Sequence, residues 1–542
     1  MTDGGDNRLR SLFAPLEQLL ASGGDTRLYL DPVTRLNGYG CRPFPRREAF
    51  TFASSTATSI SERAYAVCAA ARQSLLRDAT AIGLDRALDA RVEGMRGELK
   101  ELLDLGDTGC EIVFSPSGTD SQLHALFLAR SVLGTPMVSV IAAAEETGSG
   151  AAFATHGYHF NAATSCGSAV IKGEPIAGVA DDVSVIEVKL RDDKGAMRPC
   201  EQSNGDILHT VGRTIAAGKR VLLFAMDSSK LGQRSPSLDC LRQIAQASGG
   251  DVQIVIDACQ ARVGRKRLRW YLEQGFMVLL TGSKFFTGAP FCGALLVPAG
   301  LAVRCAAIDA VPADLVSYTS RSDWPMAWRG IRAAVPERAN LGQWLRWVSA
   351  LEEMRDYFAV PASFREMALR QFAEVVPRLI ESEGIFELVP CPRGPHDDID
   401  EEEMVAPTIF PFFVRYGARL MSQAEATVIY RALNDDVARV LPAALPPMQR
   451  FLAMRRCHIG QPVDLPNGRG GRAGALRISA GARVVSETWV RDIVQSRENL
   501  YGEFDQVRAI LEKIRLLVRH FDVIERTYRP PSSEKPYQVS AA

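Results

Sequence analysis

MVLLTGSKFFTGAPFCGALLVP, residues 277–298, holds two apolar runs, MVLLT (277–281) and ALLVP (294–298), joined by a Gly/Pro-rich turn that carries Lys284. Apolar runs of about five to seven residues without polar alternation predict strands covered on both faces. The same texture recurs upstream in CEIVF (110–114), MVSVIAA (137–143), VSVIEV (183–188), RVLLFAM (220–226) and VQIVI (252–256). Segments of helical periodicity lie among them, at 60–76, 87–104, 119–133, 205–217 and 237–247. This alternation predicts an α/β layer architecture around a mostly parallel sheet.

Outside that block the texture changes. Residues 1–45 read as an N-terminal arm, running into the Gly-, Pro- and Arg-rich stretch NGYGCRPFPRR (37–47) at its boundary. Residues 46–345 form the expected large domain. The amphipathic stretch LGQWLRWVSALEEMRDYFAV (341–360) then leads into a smaller α+β C-terminal domain, 346–530. That region holds an acidic loop, HDDIDEEE (396–403), apolar strands near 408–414 and a Gly-rich hairpin at 466–474. Residues 531–542 read as a tail.

Lys+Arg and Asp+Glu are equal at 63 each in 542 residues, so net charge offers nothing to attract nucleic acid or an anionic membrane. A small-molecule site is the better expectation. Eleven cysteines are scattered singly from Cys41 to Cys457 with no CxxC pair, which reads as reduced thiols in a cytoplasmic protein. The first twenty residues lack the basic and long apolar regions of a signal peptide, and no window approaches the roughly 18 apolar residues of a membrane span. The acidic run lacks His or Cys at ligand spacing and reads as a solvated loop, so no metal site is expected.

Three strands end in polar residues, and in open α/β sheets ligands gather outside the carboxyl ends of strands. In FSPSGTDSQLHALFLAR (114–130), a strand passes through Ser117-Gly118-Thr119 into an amphipathic helix. The two hydroxyls and the open N–H groups of the helix start suit a phosphate; a plain helix cap is the alternative. In VQIVIDACQAR (252–262), Asp257 ends a buried strand, where a carboxylate needs a partner or a task, and Gln260 follows three residues on. Lys284 follows Gly282-Ser283 and stands among Phe285, Phe286 and Phe291; an amine desolvated there is nucleophilic toward an aldehyde.

Phosphate cradle, carboxylate and lysine, in that order and each at a strand end, resemble the fold type I pyridoxal-5′-phosphate (PLP) enzymes. Within them the chain is most similar to the class V aminotransferase group, which includes cysteine desulfurases, selenocysteine lyases and kynureninases. The resemblance covers roughly residues 50–345. It implies the aspartate-aminotransferase-like fold, PLP held by Lys284 as a Schiff base, Asp257 on the pyridinium nitrogen and Gln260 near the phenolic oxygen. Ser117, Gly118, Thr119, Thr147, Ser229, Ser283 and Lys284 then form the rest of the cofactor site.

TFASSTATSIS (51–61) is similar to the family's N-terminal substrate segment, which makes Ser55 a substrate-binding candidate. ALRISAGAR (475–483) resembles the segment whose arginine grips the substrate α-carboxylate, here Arg477. Two positions depart from the family. Thr147 follows Glu146 where desulfurases carry a ring-stacking histidine, with His156, Tyr158 and His159 as the nearest substitutes; Ser228 and Ser229 stand where the family has an asparagine beneath the ring.

Cys457, in RRCHIGQPV (455–463), sits where a desulfurase nucleophile is conceivable, and a buried structural thiol is the expected reading. The implied function is PLP chemistry on an amino acid through an external aldimine and a Cα carbanion, leaning to side-chain elimination or replacement. Transamination is the alternative, followed by decarboxylation or aldol-type chemistry. A homodimer with shared sites is the implied assembly. A nucleotide-binding protein finds no support, since GxxxxGK[ST] and a strand-linked GxGxxG are both absent.

Overall fold

The computed structural model describes residues 12–391, 397 and 399–530. The tail 531–542, the first eleven residues of the arm, and His396 and Asp398 of the acidic run lie outside the described residues.

The large sheet has seven strands: β2 (Glu111–Ser115), β3 (Met137–Ala142), β4 (Val183–Val188), β5 (Arg220–Met226), β6 (Val252–Ala258), β7 (Met277–Thr281) and β8 (Gly293–Val297). Their order is β2-β8-β7-β6-β5-β3-β4. Neighbours from β7 through β4 run parallel, and β8 is antiparallel to both β2 and β7. Each predicted apolar run forms one of these strands to within two residues at either end. β7 and β8 are buried along their whole length, as strands covered on both faces must be, whereas β4 at the sheet edge exposes Ser184, Ile186 and Glu187. The mostly parallel sheet and the α+β texture of the C-terminal region expected from the sequence are both present.

A second sheet joins β1 (Ala49–Phe52), β9 (Phe386–Leu388), β10 (Ile409–Tyr416), β11 (Arg419–Leu420), β12 (Arg456–Pro466) and β13 (Arg472–Ser479). Its order is β1-β12-β13-β10-β11, with β9 on the far side of β10. β1 comes from within the span 46–345 yet pairs in parallel with β12, Phe50 opposite Cys457. The segment that follows β1 is thereby carried from the second sheet to the carboxyl ends of the first.

The helix Leu341–Ala359 links the two layers. Asn340 caps its start by accepting from the Gln343 N–H, and Trp344 and Trp347 are buried on its inner face. Trp347 stacks obliquely on Phe114 of β2 and donates its indole N–H to the Gly293 carbonyl of β8 (3.1 Å). Removing an aromatic so placed costs roughly 3–5 kcal/mol, enough to loosen the edge that carries Ser117. Among the described residues no helix is long and apolar enough to cross a membrane.

Candidate functional site

The carboxyl ends of β2, β3, β5, β6 and β7 open on one cavity of about 340 Å³. It is lined by Ser117, Gly118 and Thr119, by Asp257 and Gln260, and by Ser283 and Lys284, so the three strand-end motifs do meet. Ser55, Thr147, Ser229 and Arg477 line it as well. A larger hollow of about 860 Å³ lies between the arm and Tyr65, walled by residues such as Pro15, Leu28 and Phe44. It gathers no comparable set of polar groups, and the chemistry belongs to the smaller cavity.

The cradle forms because Ser117 leaves β2 in an extended conformation and caps the helix Gly118–Leu133. Ser117 Oγ accepts from the Asp120 N–H (3.3 Å), so cap and cradle coexist in one residue. The cap satisfies the third helical N–H and leaves those of Gly118 and Thr119 to face outward. Gly118 is required by packing: a Cβ there would lie 2.6 Å from Cys259 Sγ.

Asp257 is buried and held from two directions. The Cys259 N–H donates to Oδ1 (3.1 Å), and Gln122 Nε2, from the cradle helix, donates to Oδ2 (3.2 Å). Burial lowers the Lys284 amine from the usual lysine range, against the opposing pull of nearby Cys259 and Asp257. The three phenylalanines do not all act as the sequence suggests. Phe285 and Phe286 turn away to pack edge-on against Tyr357, and only Phe291 lines the cavity.

Strain gathers here. Ala143, Ala261, Thr287 and Phe291 adopt positive φ, four of the seven non-glycine residues that do so among the described residues. Such conformations cost about 1–3 kcal/mol each and persist where surrounding structure imposes them.

Arg477 reaches the cavity from β13, opposite a register shift between Gly460 and Val463 that turns the Gln461 carbonyl inward. Its guanidinium donates to Gln461 O (3.0 and 2.7 Å), Thr56 Oγ1 (3.0 Å), Lys230 O (3.1 Å) and Ser55 O (3.4 Å). All these acceptors are neutral, so the bidentate clamp expected of a free arginine is not preformed; what the cavity offers is an uncompensated buried charge. Burial pushes Arg477 down to about 10, and the neighbouring Arg262, likewise on neutral acceptors, to about 9. Gln260 is also committed, donating Nε2 to Ser55 O (3.2 Å) and accepting from Arg262 Nη1 (2.8 Å). Ser55 receives Gln260 and Arg477 on its carbonyl and Ser479 on its hydroxyl.

The two departures from the family pattern resolve differently. Thr147 donates its hydroxyl to Ala144 O (2.9 Å) and presents no ring. His156 bonds Val183 O and stacks on Tyr158, and His159 bonds the Tyr318 hydroxyl; none of these three residues lines the cavity. Ser229 donates to Glu146, whose carboxylate also receives Arg191 Nε (2.7 Å), and takes the Leu231 and Gln233 N–H groups. It braces the turn after β5.

Cys457 is buried in β12 and does not line the cavity; burial pushes its thiol up to about 11, the structural role expected. Cys259 does line the cavity, but burial and Asp257 raise its thiol well above the usual range.

Among the lining residues not singled out in the sequence are Arg27, Tyr39 and Lys230. Arg27 sits in the arm, paired with Asp25 (2.6 Å), over the Phe291 ring (4.7 Å) and with Nη2 donating to Ser117 Oγ (3.3 Å). No spacing announces it; the arm's fold alone brings it to the cradle. Lys230 lay in plain view beside Ser229, and only its place in the cavity wall marks it.

No protein-family model matches the chain, and no curated protein matches it. Among solved structures, it is similar to the cysteine desulfurase CsdA of Escherichia coli at 14% identity, covering 87% of this chain and 95% of that one, TM-score 0.48. It is similar to Catharanthus roseus tryptophan decarboxylase, in complex with L-tryptophan, at 14% identity over 90% of this chain and 86% of that one, TM-score 0.47. A NifS-like protein matches at 13% identity, 84% and 98% coverage, TM-score 0.47.

Proposed function

We propose that the chain is a PLP-dependent enzyme acting on an amino-acid substrate, with Lys284 as the covalent anchor of the cofactor. The observation that carries this reading is the convergence of the Ser117–Thr119 helix start, Asp257 and Lys284 on one cavity. The donor set fits the group. The cradle offers open N–H groups and the Thr119 hydroxyl beside Arg27, while the Ser117 hydroxyl donates to Asp120; Asp257 is aimed by two donors, and Lys284 is desolvated. Gly118 leaves the cradle floor without a side chain, where a Cβ would strike Cys259.

Bound there, PLP supplies an electron sink for negative charge that develops at the substrate Cα. The phosphate falls to Ser117, Gly118 and Thr119 with Arg27, as anions suit a helix N-terminus. Asp257 holds a proton at the pyridine nitrogen. Lys284, its basicity lowered by burial, would accept the Cα proton of the substrate and return it. Arg477 attracts the substrate α-carboxylate, its charge being unopposed by any carboxylate contact. Gln260, Ser55, Thr147, Ser229 and Ser283 set the walls. Phe291 and Tyr39 exclude water from one side.

The reaction we favour is elimination or replacement at the substrate side chain. A desulfurase with Cys457 as its sulfur acceptor is disfavoured because that thiol is buried away from the cavity. A cytoplasmic homodimer belongs to the same proposal, supported by eleven unpaired cysteines and by the family resemblance.

The test is chemical. Borohydride reduction of the purified yellow protein should bleach the cofactor band and fix the label on Lys284, and Lys284→Ala should lose turnover by at least about a thousandfold. Label on another residue, or no cofactor band, removes the reading.

A further inference from the structure

Lys230 is the one cavity cation that the proposed chemistry leaves without a task. Its main chain is clamped from both sides: the N–H donates to Glu146 O (3.2 Å), and the carbonyl accepts from Arg477 Nη1 (3.1 Å). The side chain therefore stands beside Arg477 in the cavity wall, with Lys284 and Asp257 facing it. Among the described residues no hydrogen bond or ion pair engages its amine. The two carboxylates lining the cavity are already committed, Glu146 to Arg191 and Ser229, and Asp257 to Gln122 and the Cys259 N–H. The residue is half-buried in the cavity wall, and its amine offers three donors around a point charge.

Arg477 and Lys230 thus form two adjacent positive centres with no protein anion between them. One substrate α-carboxylate balances one of them. Resting on the PLP reading above, we infer that the substrate carries a second carboxylate, on its side chain, and that Lys230 is the residue that binds it. The substrate class is a dicarboxylic amino acid, with Lys230 a specificity-determining residue. Burial, with the nearby Arg477 and Lys284 charges, pushes the amine down to about 8, against the pull of Glu146 and Asp257. Discrimination for the second carboxylate is then strong below pH 8 and fades as pH rises through it.

Two sets of ligands test this on the holoprotein at pH 7. Succinate and butyrate have no amino group to react, and their binding is read by calorimetry. L-aspartate and L-alanine are read as equilibrium shifts of the cofactor spectrum. The wild type should bind each diacid at least tenfold tighter than its monoacid counterpart. Lys230→Met should lose that preference while binding the monoacids within about threefold of wild type, and Lys230→Arg should keep a good part of it. An unchanged melting temperature and cofactor band certify each variant, and Lys230→Gln replaces Lys230→Met should the latter fail to fold. A wild type without diacid preference, a variant that keeps it, or equal loss of diacids and monoacids overturns the inference and leaves the PLP reading standing. A wild type without a cofactor band overturns the PLP reading itself, and this inference with it.

Discussion

Gly118→Ala places the cradle under direct strain. The added Cβ would sit 2.6 Å from Cys259 Sγ, 3.4 Å from Thr281 Cγ2 and 3.6 Å from Cys259 Cβ. Comfortable carbon contacts begin at about 3.5 Å, so only the sulfur is seriously overlapped, by roughly 1 Å. A shift of Cys259 is felt at Asp257, because its N–H is bonded to that carboxylate. Overpacking of this kind costs about 1–3 kcal/mol, partly offset by the roughly 0.5–1 kcal/mol that alanine gains over glycine in a helix. The displacement falls on the helix start and on Asp257 together, so PLP affinity should drop at least tenfold, about 1.4 kcal/mol. Cys259→Ala removes the sulfur at a cost of about 1 kcal/mol and leaves ordinary contacts at 3.4 and 3.6 Å. The double variant should therefore recover both urea midpoint and cofactor affinity, with a coupling of at least about 1 kcal/mol in the mutant cycle. Additivity within about 0.5 kcal/mol, or full cofactor affinity in Gly118→Ala, would refute the cradle and reduce Ser117 to a helix cap.

Asp257→Asn keeps the shape of the side chain and removes its charge; kcat should fall by about 10²–10³, the scale of a lost preorganised electrostatic contact, while near-wild-type turnover would make Asp257 structural. His124, on the cradle helix, is buried against Trp324 with neither ring nitrogen partnered, and burial pushes it down to about 3. A depressed folded value means the unfolded chain takes up the proton first, so stability is lost as pH falls below about 6.5, by about 2 kcal/mol from this residue at pH 5. His124→Phe should raise the urea midpoint at pH 7.5 and shrink the loss between pH 7.5 and pH 5 by that amount; an identical pH profile would contradict it. Cys457→Ala should retain most activity, with no protein-bound persulfide after L-cysteine treatment, whereas a persulfide on Cys457 would restore a desulfurase reading. Turnover that depends strictly on an added keto acid would replace elimination by transamination.

The large sheet was legible because burial on both faces writes itself into sequence as unbroken apolar runs. Even β4, which exposes residues at the sheet edge, kept enough of the pattern in VSVIEV to be read. Asp257 and Lys284 were legible for the converse reason, each being a charge at the end of such a run. Roles set by direction were not. Phe285 and Phe291 lie in the same turn, yet one points into the core and the other into the cavity, and nothing in FFTGAPF separates them.

Arg477 sits at the place its segment predicts, but its N–H groups were assigned to a substrate when the fold had given them to Gln461, Thr56, Ser55 and Lys230. That same allocation ties Arg477 to the Lys230 main chain, and through it to Glu146 and the end of β3. A substrate anion drawn to either cation therefore acts on a connection between the two sheets: β13 supplies Arg477, and the turn after β5 supplies Lys230. In this arrangement a movement of the Arg477 guanidinium disturbs the Lys230 carbonyl to which it donates, so binding at β13 is felt by the turn after β5.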